Sequence, residues 1–197
     1  MCFLRKSMEI NFRILLTTTF LLTLTPMSVL GRESPKHGLK LDAGLGIHEG
    51  VRTQGFGTII SFGYERAIRE DGLRIHSTFL YGKFTHSFAT DTPKQNLISR
   101  SFITALSYDI IRFWILSLTL AVGGVVDNTF GIVGPGGEIQ PATITDVNEW
   151  SAGLYFSGGI RITPTTGRFS LEITPLANCL GVNLFKLNST IGIVVRI

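Results

Sequence analysis

The feature that most constrains this chain is an alternation of apolar and polar or small residues with period two. In the first alternating segment, Leu39, Leu41 and Ala43 are separated by Lys40 and Asp42. Successive side chains of a β-strand point to opposite faces, so this pattern predicts strands with one apolar face each. Eight such segments follow one another along the chain: 39–48, 56–65, 73–82, 101–109, 114–123, 150–163, 169–174 and 187–197.

The composition indicates that the apolar faces meet lipid. Only 16% of the residues are charged, against about 25% in ordinary soluble domains, and the mean hydropathy is +0.31. After the first 31 residues, the longest uncharged stretch is 113–126, which is shorter than the about 20 apolar residues of a membrane helix. A closed β-barrel is the other design that satisfies every backbone hydrogen bond in lipid. We therefore predict an all-β, eight-stranded, antiparallel up-and-down transmembrane barrel.

The N-terminus has the pattern of an export signal. Arg5, Lys6 and Arg13 precede an uncharged apolar segment that is broken by Pro26. This pattern predicts a cleavable signal peptide at 1–31, followed by a short lead at 32–38 and the barrel at 39–197. A threonine-rich membrane anchor is the alternative, and translation could also start at Met8.

The predicted connections alternate in length. Short turns are expected at 67–72, 110–112 and 164–167, and longer loops at 87–96, 127–149 and 179–184, with a modest loop at 49–55. In outer-membrane barrels the short turns are periplasmic and the long loops are extracellular, so both termini are expected on the periplasmic side. Pro175 lies in the seventh segment and predicts either a bulge or an early end of that strand.

The two predicted faces differ in residue size. The polar face is mostly Gly, Ser and Thr, which suits a narrow eight-stranded interior, whereas a soluble barrel would carry many Lys and Glu on its outer face. The large residues of the other face include two predicted aromatic girdles. These are Tyr64, Tyr108, Trp114 and Phe169 near the short turns, and Phe56, Tyr81 and Trp150 near the long loops.

Charged residues also fall on the predicted inner face near the short turns. Charges inside a narrow barrel must be paired, because unpaired burial is too costly. We therefore predict an internal salt-bridge network, interpreted as a filling that fixes strand register rather than as a gate. The network is expected to centre on Glu65, Arg74, Arg161, Glu172 and Arg196. The full set of inward charged positions is Lys40, Asp42, Glu65, Arg74, Asp109, Arg161, Arg168, Glu172 and Arg196.

The C-terminal strand carries the most specific pattern in the chain. Thr190 is followed two residues later by Gly192, and hydrophobic residues stand third-last and last, at Val195 and Ile197. In this respect the chain resembles the small eight-stranded outer-membrane barrels of the OmpA transmembrane-domain and OmpX kind. The resemblance covers about residues 38–197 and implies that these four residues form a signal for the outer-membrane assembly machinery. Where that family usually has an aromatic residue at the last position, this chain has Ile197.

The favoured function is non-enzymatic: an outer-membrane barrel that contributes to envelope integrity or to surface contact through its long loops. The expected partners are outer-membrane lipid and lipopolysaccharide, the assembly machinery and a surface ligand at the loops. A monomer is expected, with no nucleic acid, cofactor or metal. The alternative is a lipid A-modifying enzyme, an acyl hydrolase or acyltransferase, for which the candidate residues near the long loops are His48, Glu49, His86, Ser87 and Asp91. A soluble periplasmic ligand-binding barrel is the third hypothesis.

Overall fold

A computed structural model describes residues 37–50, 54–69, 72–86, 96–133, 145–164, 168–182 and 184–197. The predicted signal peptide and residues 87–95 and 134–144 of the predicted long loops lie outside these residues. The described residues form eight strands: β1 (His37–Glu49), β2 (Gln54–Ala67), β3 (Arg74–His86), β4 (Asn96–Phe113), β5 (Leu116–Val133), β6 (Thr145–Ile162), β7 (Phe169–Gly181) and β8 (Leu184–Arg196).

The strands form one closed sheet in which each strand pairs with its neighbours in sequence. All pairs are antiparallel, and β1 closes the barrel against β8, with Leu41 opposite Ile193. This arrangement confirms the predicted fold class of an eight-stranded up-and-down barrel. Among the described residues, no helix is long and apolar enough to cross a membrane.

The alternation of residues separates an inner and an outer face in the way that the sequence predicts. Large apolar side chains point outward, as in Leu41, which is 59% exposed, and Phe62, which is 57% exposed. Small and polar residues such as Ser61, Ser101 and Ser170 are buried inside the barrel. The outer wall is therefore the apolar one, which is the arrangement of a barrel surrounded by lipid.

The predicted turn at 110–112 is wrong. β4 continues to Phe113, with a register shift between Asp109 and Ile111 in its pairing with β5. The turn instead consists of Trp114 and Ile115, because Phe113 pairs with Leu116 and leaves only these two residues between the strands. A two-residue hairpin of this kind needs a positive φ in the turn, and here Trp114 supplies it with a φ of 54°.

The predicted loop at 127–149 is too long. β5 continues to Val133 and β6 begins at Thr145, so both strands reach well beyond their predicted ends. The polar residues Asp127, Asn128 and Thr129, which favour a loop in sequence, belong to the strand. The predicted loop at 179–184 is also too long, since β7 continues to Gly181 and β8 begins at Leu184.

Pro175 lies inside β7, at a bulge. The pairing of β7 with β8 shifts register between Thr174 and Ala177, and the pairing with β6 shifts between Gly158 and Ile160. A bulge leaves a residue out of the hydrogen-bonded ladder, so a proline without an N–H group fits there. Of the two predicted explanations, the bulge is therefore the correct one.

Candidate functional site

The interior of the barrel holds a charged cluster in its short-turn half, and Arg161 of β6 lies at its centre. Its guanidinium donates to both oxygens of Glu65, at 2.9 and 2.6 Å. It also contacts Glu172, with 2.6 Å between Nη2 and Oε2. Glu172 stands opposite Arg161 in the register of β6 and β7, whereas Glu65 reaches it from β2 across the interior. One arginine thus binds two carboxylates on separate parts of the wall.

Lys40 joins this cluster from β1. Its Nζ lies 2.6 Å from Oε1 of Glu172 and 3.6 Å from Oδ1 of Asp42. Asp42 in turn accepts a hydrogen bond of 2.6 Å from the hydroxyl of Ser61. Strands β1, β2, β6 and β7 are therefore connected by charges that lie far apart in sequence.

A second group of charges lies beside this cluster on β3 and β4. Arg74 donates to both oxygens of Asp109, with 3.0 Å between Nη1 and Oδ2. Arg112, which is half-exposed, also contacts Asp109, at 3.0 Å. The sequence pattern predicts a turn at Arg112. In the structure Arg112 belongs to β4, which continues past the register shift between Asp109 and Ile111, and its side chain reaches Asp109.

Two of the charged residues predicted to face inward are not buried within the cluster. Arg196 donates to the hydroxyl of Thr163 at 3.3 Å, at the margin of the cluster. Arg168 is a correction: it lies just ahead of β7 and is exposed, so it is not buried among the interior charges. The prediction for Arg168 extended the alternation of β7 by one residue ahead of Phe169, where the strand begins.

A buried ion pair that the sequence analysis missed lies in the long-loop half of the interior. Lys186 and Asp127 are 0% and 1% exposed in their side chains, with 2.5 Å between Nζ and Oδ1. The hydroxyls of Ser99, Ser101 and Thr129 donate to the Asp127 carboxylate at 2.7 to 2.8 Å. Both charged residues continue the inward parity of their strands, which was the available signal. Asp127 fell in a predicted loop, and Lys186 fell just ahead of the predicted strand 187–197.

This ion pair adjoins an apolar cluster that fills the same half of the barrel. Phe84, Leu97 and Cys179 are each 0% exposed there. The cluster comprises Ile59, Leu80, Phe84, Leu97, Ile103, Ala105, Val125, Cys179 and Leu184. The charged cluster in the other half encloses a cavity of only about 10 Å³, which is room for about one water molecule. The described interior is therefore filled by side chains at two levels.

Buried pairs of this kind hold strands in place because breaking them is expensive. Removing one partner of a buried ion pair leaves an uncompensated charge and costs about 3 to 5 kcal/mol. Arg161, Glu65 and Glu172 are all less than 10% exposed, so their charges depend on one another. The arrangement can fix strand register and block the lumen.

The aromatic residues singled out in the sequence lie on the outer wall. Tyr108, Trp114 and Phe169 are exposed near the short turns, where Tyr64 is half-buried and bonded to His37. Phe56, Tyr81 and Trp150 are exposed toward the long loops.

The C-terminal pattern divides between the two faces of β8. Thr190 and Gly192 belong to the inner face, whereas Val195 and Ile197 belong to the outer one. Gly192 stands opposite Asp42, and a Cβ atom at this glycine would lie 1.9 Å from Oδ1 of Asp42. The glycine therefore makes room for a member of the charged cluster.

The structure does not gather the candidate catalytic residues into a described site. His48 points into the barrel and is 1% exposed. Glu49 and His86 are the last residues of β1 and β3, and Ser87 and Asp91 lie outside the described residues. Among the described residues, no group of three or more His, Cys, Asp or Glu could hold a metal ion.

Comparisons with known proteins identify the fold. No protein-family model matches the chain, and no curated protein matches its sequence. Among solved structures, the chain is similar to Neisserial surface protein A, with a TM-score of 0.61 and 12% identity over 82% of this chain and 97% of that one. It is also similar to Ail, the attachment invasion locus protein of Yersinia pestis, with a TM-score of 0.55 and 8% identity over 83% and 99%.

A second structure of Ail, in complex with the heparin analogue sucrose octasulfate, also matches, with a TM-score of 0.55 and 9% identity over 83% and 99%. These likenesses agree with the closed sheet described above. The chain therefore has the fold that the sequence predicts, that of the small eight-stranded outer-membrane β-barrels.

Proposed function

We propose that this protein is a non-enzymatic barrel of the bacterial outer membrane, which contributes to envelope integrity or makes surface contacts through its long loops. The observation that carries the proposal is the closed barrel with its apolar wall outside and its charges paired inside. Such a wall is stable only in lipid, because in water it would leave a large apolar surface exposed. An exported barrel of this kind belongs in the outer membrane.

The filled interior supports a structural or contact function rather than passage of solutes. Eight-stranded barrels are just wide enough for side chains to fill, and here both halves of the described lumen are occupied. Activity would then reside on the outer wall and in the loops at its long-loop end. Those loops are the expected place for a surface ligand, while the C-terminal residues Thr190, Gly192, Val195 and Ile197 are proposed to address the chain to the assembly machinery.

The first experiment locates the protein and tests closure of the barrel. Outer-membrane and periplasmic fractions are run on a denaturing gel with and without boiling. We expect a band in the outer-membrane fraction that migrates differently after boiling, because a closed sheet offers no free edge from which detergent can unfold it. A protein found only in the soluble periplasm, without a shift, would overturn the proposal and favour the soluble ligand-binding barrel.

A second experiment separates envelope integrity from surface contact. Cells lacking the gene are complemented with the full chain or with a variant in which residues 134–144 are replaced by a short Gly-Ser turn. If the barrel itself supports the envelope, both should restore resistance to detergent and to large antibiotics. If the loop instead makes surface contacts, cells lacking the gene should keep this resistance, and only the full chain should restore adherence of whole cells, although both chains show the same heat-dependent shift.

The enzyme alternative has a direct test in the same strains. Mass spectra of lipid A from cells with and without the gene should be identical if the barrel is not an enzyme. A mass difference of one acyl chain would overturn the non-enzymatic proposal and would identify a hydrolase or an acyltransferase. His48 is too deeply buried to act on a lipid from its present position.

A further inference from the structure

Among the described residues, two cations stand on the outer wall of the barrel toward the long loops. Lys83 of β3 and Arg100 of β4 both point outward and are exposed. Tyr81 is paired with Arg100, and Lys83 with Ile98, so the two cations are diagonal neighbours on adjacent strands. Diagonal neighbours lie about 7 to 8 Å apart, which is close enough for two long side chains to reach one ligand.

The outer wall changes from apolar to polar at the level of these two residues. The paired row below them is entirely apolar and consists of Phe62, Phe79, Phe102, Val126 and Ala152. The next row toward the long loops is Ile60, Tyr81, Arg100, Asn128 and Trp150, and the row above it is Thr58, Lys83, Ile98, Phe130 and Asn148.

This change marks the boundary between hydrocarbon and headgroups. Tyr81 and Trp150 are 37% and 39% exposed, and tyrosine and tryptophan favour the membrane interface, where an apolar ring can have a polar end in water. Arg100 stands between them in the same row. The two cations therefore lie where lipid headgroups are, and not at the middle of the bilayer.

The charges of Lys83 and Arg100 are not balanced by the described parts of the protein. Among the described residues, the carboxylates that form ion pairs do so with other cations, chiefly with those inside the barrel. The guanidinium of Arg100 lies over the ring of Phe130, 4.7 Å from its centre. This stacking holds the group against the wall and leaves its N–H donors at the edge, where they can meet an anion.

We propose that Lys83 and Arg100 together bind a phosphate group of a lipid in the outer leaflet, the phosphorylated glycolipid lipid A. The inference rests on the proposed outer-membrane location. A phosphate offers up to two negative charges and three acceptor oxygens, which matches an ammonium and a guanidinium on adjacent strands. The acyl chains of the same lipid would lie along the apolar row below, so headgroup and tails are both accommodated.

The test uses the folded full-length mature barrel in neutral maltoside micelles, with native mass spectrometry to count bound lipid. The probes are lipid A with two phosphates, lipid A with one phosphate, inorganic phosphate and sucrose octasulfate. The variants are Lys83→Gln, Arg100→Gln, the double variant and the charge-preserving Arg100→Lys. The matched control is Arg168→Gln, which removes one exposed cation at the opposite end of the barrel.

We expect wild type, Arg168→Gln and Arg100→Lys to retain one diphosphorylated lipid A. Each glutamine variant should bind it about tenfold more weakly, which is the loss expected for one charged hydrogen-bonding partner, and the double variant more weakly still. Raising the salt concentration should weaken the wild-type interaction, since these charges are exposed and are screened. Inorganic phosphate should not compete, because it lacks the acyl chains.

Two results would overturn the inference: equal binding by the double variant and wild type, or displacement of lipid A by sucrose octasulfate at an equal concentration. The second result would indicate a site for a soluble polyanion. The heat-dependent gel shift is measured on every variant, so that a loss of binding is interpreted only for folded barrels. If wild type itself shows no shift and does not insert into vesicles, the proposed function fails; if it inserts and only the binding result is negative, the phosphate site alone fails.

Discussion

At the scale of single residues, Glu172 is the member of the charged cluster whose loss should be felt most. Glu172→Gln preserves shape but removes the charge that Lys40 and Arg161 share. Arg161 keeps Glu65, while Lys40 is left with Asp42 at 3.6 Å. We expect a loss of about 3 kcal/mol in the free energy of unfolding, measured by urea denaturation of the barrel in vesicles.

The control for this variant is Arg168→Gln, which changes an exposed cation near the same end. It should change the free energy of unfolding by less than about 0.5 kcal/mol. Equal stability of Glu172→Gln and wild type would mean that the ion pairs in the short-turn half do not hold the barrel together.

The Lys186–Asp127 pair allows a different residue-scale test, in which two changes together cost less than one. Lys186→Met leaves the carboxylate of Asp127 buried without its cation and should cost about 3 to 5 kcal/mol. Adding Asp127→Asn removes that charge and keeps one oxygen that accepts from the hydroxyls of Ser99 and Ser101. The amide NH2 takes the place of the second oxygen and can donate to the hydroxyl of Thr129. The double variant should therefore regain most of the lost stability in the same denaturation experiment, and strictly additive losses would contradict this account.

At the scale of strands, the sequence correctly predicts how many strands there are and which side chains face outward, but it predicts the ends of the strands poorly. Alternation is a local property, so it can be read from the chain, and it correctly predicts eight strands with an apolar outer face. It fails where a bulge interrupts the period, as at Asp109–Ile111 in β4. It also fails where polar residues continue a strand beyond the apolar belt, as with Asp127, because the same residues are typical of loops.

The partners within the charged cluster could not be predicted pairwise, for a physical reason. The inward position of Arg161 follows from alternation, but its contact with Glu65 spans 96 residues of sequence. That contact depends on the closure of the barrel and on the accumulated stagger of several strands. Neither quantity is encoded in any single segment, so only membership of the inner face was accessible from sequence.

Strand β7 offers a prediction at the scale of an element. Pro175 lies where the register of β7 shifts on both sides, so Pro175→Ala should change the free energy of unfolding by no more than about 1 kcal/mol. Leu171→Pro is the matched comparison, because Leu171 is paired with both Ile162 and Ile193. Removing a hydrogen bond from the paired ladder leaves a backbone group unsatisfied in lipid and should cost about 3 kcal/mol or more. Equal effects of the two substitutions on the free energy of unfolding would mean that β7 tolerates proline at position 175 no better than at a paired position.

At the scale of the whole molecule, the two filled levels of the interior should each be sufficient to close the barrel. The charged cluster blocks the short-turn half, and the apolar cluster with Lys186 and Asp127 blocks the long-loop half. Ions cannot cross an apolar packed region without losing their hydration, which is too costly to occur at a measurable rate. We therefore expect no steady conductance from wild type in a planar bilayer.

The same reasoning predicts the behaviour of a barrel that is opened at one level only. Glu65→Ala combined with Arg161→Ala removes one positive and one negative charge and widens the short-turn half, while Lys40 keeps Glu172. The apolar cluster remains intact, so this double variant should also conduct no steady current, although its free energy of unfolding falls. Steady ohmic steps from the double variant alone would show that the charged cluster is the only barrier, and steps from wild type would show that the lumen opens in the membrane.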